Sequence, residues 1–234
     1  MGGPRHIRRR FALVIFAAGG LFIGVAPAVG AEPASTSISF CPTEGSFPAE
    51  TTPGPVLQRY FKDDWRFGPK RFPDEGPIGR MLDDYRRFNG LGRNVFLDCY
   101  WHTGFAPGWY FPNDDGFLVI HGEPVMFDDT LDVGEKVDLF GSGQGRFLAP
   151  AGTPYKNRAI PPTNLNTFTT DFTFNYHKYR VTAQFTVSAG PIAPWFGQPG
   201  LGLQYFTGTT TAPNLPANPR IPDLVGNGYL VELT

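Results

Sequence analysis

The chain has 234 residues, 22 of them phenylalanine, and its 20 basic against 21 acidic side chains give a formal net charge of −1. Nucleic-acid affinity rests on a surplus of Lys and Arg that neutralises phosphates, so this balance excludes nucleic acid as a partner. The two cysteines, Cys41 and Cys99, form no C-x-x-C pair and Cys41 has no histidine nearby, which argues against a zinc site.

The first element is a leader. Arg5, Arg8, Arg9 and Arg10 precede an apolar run from Phe11 to Val25, and small residues follow, with Val29 and Ala31 suited to a signal peptidase. The pattern predicts a signal peptide over 1–31, cleavage after Ala31 and a secreted, extracellular product. The run is too short and too glycine-rich for a membrane span, so no membrane association is expected once the leader is removed. Loss of those four arginines leaves 16 bases against 21 acids, a net charge of −5. In an oxidising compartment the two cysteines are expected to pair, tying an extended Pro/Ser/Thr-rich arm over 32–55 to the region beyond.

Next, the spacing of Leu57, Tyr60, Phe61, Met81, Leu82, Tyr85 and Phe88 predicts two short helices between Val56 and Asn89. Beyond Gly90 the pattern turns aromatic and β-branched, predicting strands over Val95 to Trp101, Phe117 to His121, Tyr179 to Val187 and Tyr229 to Leu233. Asn113-Asp114-Asp115-Gly116 reads as a turn. Helix early and strand late predict an α+β, β-dominated fold: a small helical N-terminal region, 32–134, packed on a C-terminal antiparallel β core, 135–234. No dinucleotide fingerprint is present, since Gly141-Ser142-Gly143-Gln144-Gly145 lacks the required spacing and the later acidic residue.

The run from Gly190 to Tyr205, G-P-I-A-P-W-F-G-Q-P-G-L-G-L-Q-Y, describes a shaped loop lined by Trp195 and Phe196. Together with Asp138-Leu139-Phe140-Gly141 and Gly145-Arg146-Phe147-Leu148-Ala149-Pro150-Ala151-Gly152-Thr153-Pro154, with Asn157-Arg158-Ala159-Ile160-Pro161-Pro162, and with Tyr176-His177-Lys178-Tyr179, it resembles the ordered motifs of the TNT domain. That is the tuberculosis necrotizing toxin family of secreted NAD glycohydrolases. Leu139 departs from the arginine that many members carry after the aspartate. The resemblance implies a TNT-type β core, hydrolysis of NAD+ and NADP+ with NAD+ as substrate, no cofactor and no metal. It also leaves room for a homodimer and for an immunity protein as partners.

Residue by residue, Gln204 matches the essential glutamine of the family and Arg158 its binding arginine, expected to hold the pyrophosphate. Arg146, Phe147, His177, Trp195 and Phe196 are implied as substrate-binding positions. Each has a plainer reading: Gln204 satisfying loop backbone, Arg158 solvated, Phe147 in the core, His177 tying a strand to a loop. Two rival functions stand beside the hydrolase. An ADP-ribosyltransferase needs a glutamate near the reacting ribose, and the core offers only Glu135 and Glu232. A binding module on the same fold would carry the loop as a recognition surface.

Overall fold

A computed structural model describes residue 41, residue 45 and residues 58–233. The leader, its cleavage site and most of the arm lie outside the described residues. In chain order the elements are α1 (Gly76–Leu82), α2 (Arg93–Tyr100), β1 (Trp101–His102), β2 (Gly108–Trp109), β3 (Val119–Ile120), β4 (Glu123–Pro124), β5 (Phe127–Leu131), β6 (Lys136–Phe140), β7 (Phe147–Pro150), α3 (Tyr155–Arg158), β8 (Tyr176–Val181), β9 (Phe185–Pro191), β10 (Leu203–Phe206), α4 (Ile221–Gly226) and β11 (Leu230–Leu233). Short 3-10 turns at Phe61–Asp63 and Trp65–Phe67 stand where the first of the two expected helices begins.

Seven strands form one antiparallel sheet in the order β11-β8-β6-β7-β10-β9-β5, which agrees with the β-dominated α+β reading. Strand β5 is hydrogen-bonded along β9 as an edge of this sheet, although it lies on the N-terminal side of residue 135. Side chains alternate between the two faces. One face carries Val137, Leu139, Leu148, Tyr179, Val181, Val187, Ala189 and Tyr205 into a core closed by Ile221 and Leu224 of α4. On the other face Phe140 and Tyr176 pack with Tyr155, Leu165 and the α1 residues Met81 and Leu82.

The expected strand over Val95 to Trp101 is instead mostly helix, α2. Its β-branched and aromatic residues suit a strand, yet Phe96, Cys99 and Tyr100 fall at the i, i+3, i+4 spacing that buries one helical face. That face joins a separate aromatic cluster with Phe67, Trp101, Trp109 and Phe196. Tyr179 to Val187 divides into the end of β8 and the start of β9, separated by a bend.

Cys41 and Cys99 are joined in a disulfide across a sequence separation of 58. Closing such a loop constrains the unfolded chain by about 4 kcal/mol in the chain-entropy estimate. Cys99→Ser is therefore expected to lower the thermal midpoint, and non-reduced peptide mapping should recover the 41 and 99 peptides as one species. Two free thiols in protein from an oxidising compartment would contradict this pairing.

Candidate active site

The sheet face opposite the α4 core gathers the residues with chemistry. Gln204 of β10 stands opposite Gly190 of β9, and Phe206, two residues on and on the same face, stands opposite Phe147 of β7. The Phe147 and Phe206 rings stack with centroids 5.2 Å apart and 29° between planes. Phe147 stays 43% exposed, so the pair presents an aromatic surface beside Gln204. Phe206 had no role in the sequence reading; its signal was the period of two from Gln204 in L-Q-Y-F.

Gln204 is 8% exposed, and its Nε2 donates to the Asp115 carbonyl at 2.9 Å. A carbonyl can only accept, so this bond fixes which end of the amide is which. Oε1 is the other end of the same amide, and no hydrogen bond to it is made among the described residues. The amide oxygen is thus held in place with its lone pairs available.

Arg158 lies on the same face, but not as an open cation. Asp138 of β6 is fully buried, and its Oδ1 accepts from Arg158 Nη2 at 2.5 Å. Its Oδ2 accepts from the Tyr176 hydroxyl at 2.8 Å and the Gly152 amide at 2.7 Å. Arg158 Nε donates to the Thr153 carbonyl at 3.0 Å, and the side chain is 5% exposed over the Phe140 ring. Two of its three guanidinium nitrogens are committed, leaving Nη1 outside these bonds. Burial first, then the Asp138 charge, push the Tyr176 phenol well above its ordinary range, so it remains a neutral donor. The next-door Asn157 ties α3 to the segment before β10: its Nδ2 donates to the Gly200 carbonyl at 2.8 Å, and its carbonyl accepts from Gly202 at 2.9 Å. Arg158 and Gln204 are therefore held on adjoining segments of one face.

The other expected positions fall elsewhere. His177 pairs in register with Leu139 and so points to the α4 face, on a strand separated from β10 by β6 and β7. There its Nδ1 meets Glu232 Oε1 at 2.6 Å and its ring stacks on Phe172 at 4.1 Å, which is an anchor for the C-terminal strand rather than a group beside Gln204. Phe196 is 1% exposed within rings from Phe96, Tyr100, Trp109 and Phe111, leaving no ring face for a ligand. Trp195 is half-buried with Nε1 donating to the Tyr110 carbonyl at 2.6 Å. Arg146, half-buried beside Phe147, donates from Nε to the Asn218 carbonyl at 3.2 Å. Two clefts of about 550 and 340 Å³ lie elsewhere, one around Phe61 and Phe88 and one between Arg59, Lys70 and Phe174, and include none of these residues.

Residues 130–233 match the family model described as tuberculosis necrotizing toxin. Over 209 residues the chain is 41% identical to the conidial surface nicotinamide adenine dinucleotide glycohydrolase nadA of Aspergillus fumigatus, across 85% of this chain and 85% of that one. The chain belongs to the TNT family. Among solved structures, tuberculosis necrotizing toxin complexed with its immunity factor aligns with a TM-score of 0.49 at 17% identity, covering 80% of this chain and 100% of that one. Tse6 in complex with Tsi6 aligns with a TM-score of 0.30 at 18% identity, covering 47% and 72%. The TNT match begins inside β5, so Gln204, Arg158, Asp138, Phe147 and Phe206 all fall within it, whereas the Asp115 carbonyl that orients Gln204 does not.

Proposed function

We propose that this chain is a secreted NAD+ glycohydrolase that cleaves the N-glycosidic bond of NAD+, and of NADP+, to nicotinamide and the ADP-ribose product. The observation that carries the reading is the 41% identity to a NAD glycohydrolase over 85% of both chains. Nicotinamide leaves NAD+ as a neutral base, so the reaction demands no strong acid from the protein. As the bond breaks, positive charge moves into the ribose, and an oriented amide dipole aimed at it stabilises the transition state without reorganisation. Gln204 Oε1 supplies that dipole. The Phe147–Phe206 pair offers a face for the nicotinamide ring, and Arg158 Nη1 offers one contact for a phosphate oxygen while the rest of its guanidinium holds Asp138. No cofactor takes part, and NAD+ is consumed as substrate.

A transferase reading is less well supported. Glu232 is engaged with His177 on the α4 face, away from Gln204. Incubating the mature protein with NAD+ should release nicotinamide and free ADP-ribose in equal amounts, at a rate unaffected by a chelator. ADP-ribose on protein would favour the transferase, and intact NAD+ the binding module. A rate abolished by chelation and restored by one ion would overturn the metal-free account.

A further inference from the structure

Gln204 can work only if its amide is held one way round, and the group that holds it comes from the N-terminal segment. Asp114, Asp115 and Gly116 occupy three consecutive left-handed conformations, with φ of 52°, 52° and 79°. Two of these are residues with side chains, for which that region is unfavourable, and such strain persists only where neighbouring contacts enforce it. Here they do. The Gly116 carbonyl accepts from Ala193 at 2.9 Å, Leu118 donates to the Pro191 carbonyl at 2.8 Å, and Phe117 bridges to Ile192. Phe117 is fully buried, its ring lying directly over Gly190, the residue opposite Gln204. The turn is thus clamped onto the sheet at Gln204 itself.

We infer that the Asp114–Gly116 turn is a positioning element for the reaction: its Asp115 carbonyl takes the Nε2 proton of Gln204 and so keeps Oε1 aimed at the substrate. The inference rests on the Gln204 assignment made above. It adds a main-chain group, outside the segment matched to the TNT family, without which the glutamine is free to turn over. A freely turning amide would present its N–H donors to a developing cation for part of the time, which is the wrong polarity.

Two variants read this out in steady-state NAD+ hydrolysis. In Gly116→Ala the new Cβ meets Gln204 Oε1 at only an ordinary contact distance of 3.6 Å, so the effect is conformational. Relaxing φ at residue 116 swings the 115–116 peptide and its carbonyl. The expected result is a fall in kcat of about tenfold or more with KM within about threefold, the split of an interaction that matters mainly in the transition state. In Gln204→Glu only the protonated carboxyl can donate to the Asp115 carbonyl. A hydrogen bond to the neutral form raises the carboxyl's folded pKa above the ordinary value of about 4.3, so activity is present at low pH and is lost as pH rises through that raised value. Wild-type kcat in folded Gly116→Ala, or a Gln204→Glu rate that rises with pH or tracks the wild-type profile, would overturn the inference. An inactive Gln204→Ala alongside those results would leave the glutamine's own role standing, whereas an active Gln204→Ala would remove it.

Discussion

Gln204→Ala is expected to lower kcat for NAD+ hydrolysis by about 100-fold or more, the usual cost of deleting one preorganised polar group at a reacting centre. KM should change little, since the amide oxygen contributes mainly once charge has developed on the ribose. The fold should survive. Among the described residues the Gln204 side chain makes one hydrogen bond, to the Asp115 carbonyl, and losing it costs about 1 kcal/mol. Circular dichroism and a thermal melt alongside the kinetics separate these effects. A folded Gln204→Ala enzyme with near wild-type kcat would exclude the residue from the mechanism.

The second large effect concerns stability. Asp138→Ala strands the buried Arg158 guanidinium and removes the acceptor of the half-buried Tyr176 hydroxyl and of the Gly152 amide. Breaking a buried pair from one side typically costs about 3–5 kcal/mol, against a total stability of about 5–15 kcal/mol. Asp138→Ala is therefore expected to lose a large part of its denaturant stability, and Arg158→Ala, which leaves the carboxylate with two of its three partners, somewhat less. Replacing both members by apolar residues of similar volume should recover much of the loss, because the penalty belongs to the unpaired charge. Single variants as stable as wild type would show that the pair is not buried in solution. From sequence, Arg158 reads as a binding residue that can be removed without harm to the fold. The buried Asp138 carboxylate reverses that, and an activity loss in Arg158→Ala must be corrected for the unfolded fraction.

The sequence and the fold agree where alternation is clean. Parts of β8, β9 and β11 are legible because Tyr179, Val181, Phe185, Val187 and Leu230 alternate with residues on the other face. Strand β6 was hidden because a buried aspartate interrupts its apolar residues, and Asp138 is tolerable there only through partners from distant segments. Strand β7, F-L-A-P, reads as loop because of its proline, and β10 emerges directly from the Gly/Pro-rich run. Helix α2 went the other way: its composition suits a strand, and only the packing of Phe96 and Tyr100 against Trp109 and Phe196 makes it a helix.

In the site, the positions of Gln204, Arg158 and Phe147 were legible through motif order, and their shared face follows from strand register. The burial of Phe196 was not, because the rings that enclose it come from residues about a hundred positions earlier. His177 sits beside Leu139 across the β6–β8 register, a pairing no local motif encodes. The Asp115 carbonyl was the least visible of all, since a main-chain acceptor leaves no side-chain signature beyond a turn.

NAD+ is expected to react on the sheet face that holds Gln204. A crystal structure of the Gln204→Ala protein soaked with NAD+ tests this most directly. The expected result is an intact dinucleotide whose nicotinamide rests on the Phe147–Phe206 pair and whose ribose C1 faces residue 204. A dinucleotide bound on the opposite face, with its nicotinamide ribose at His177 and Glu232, would contradict it.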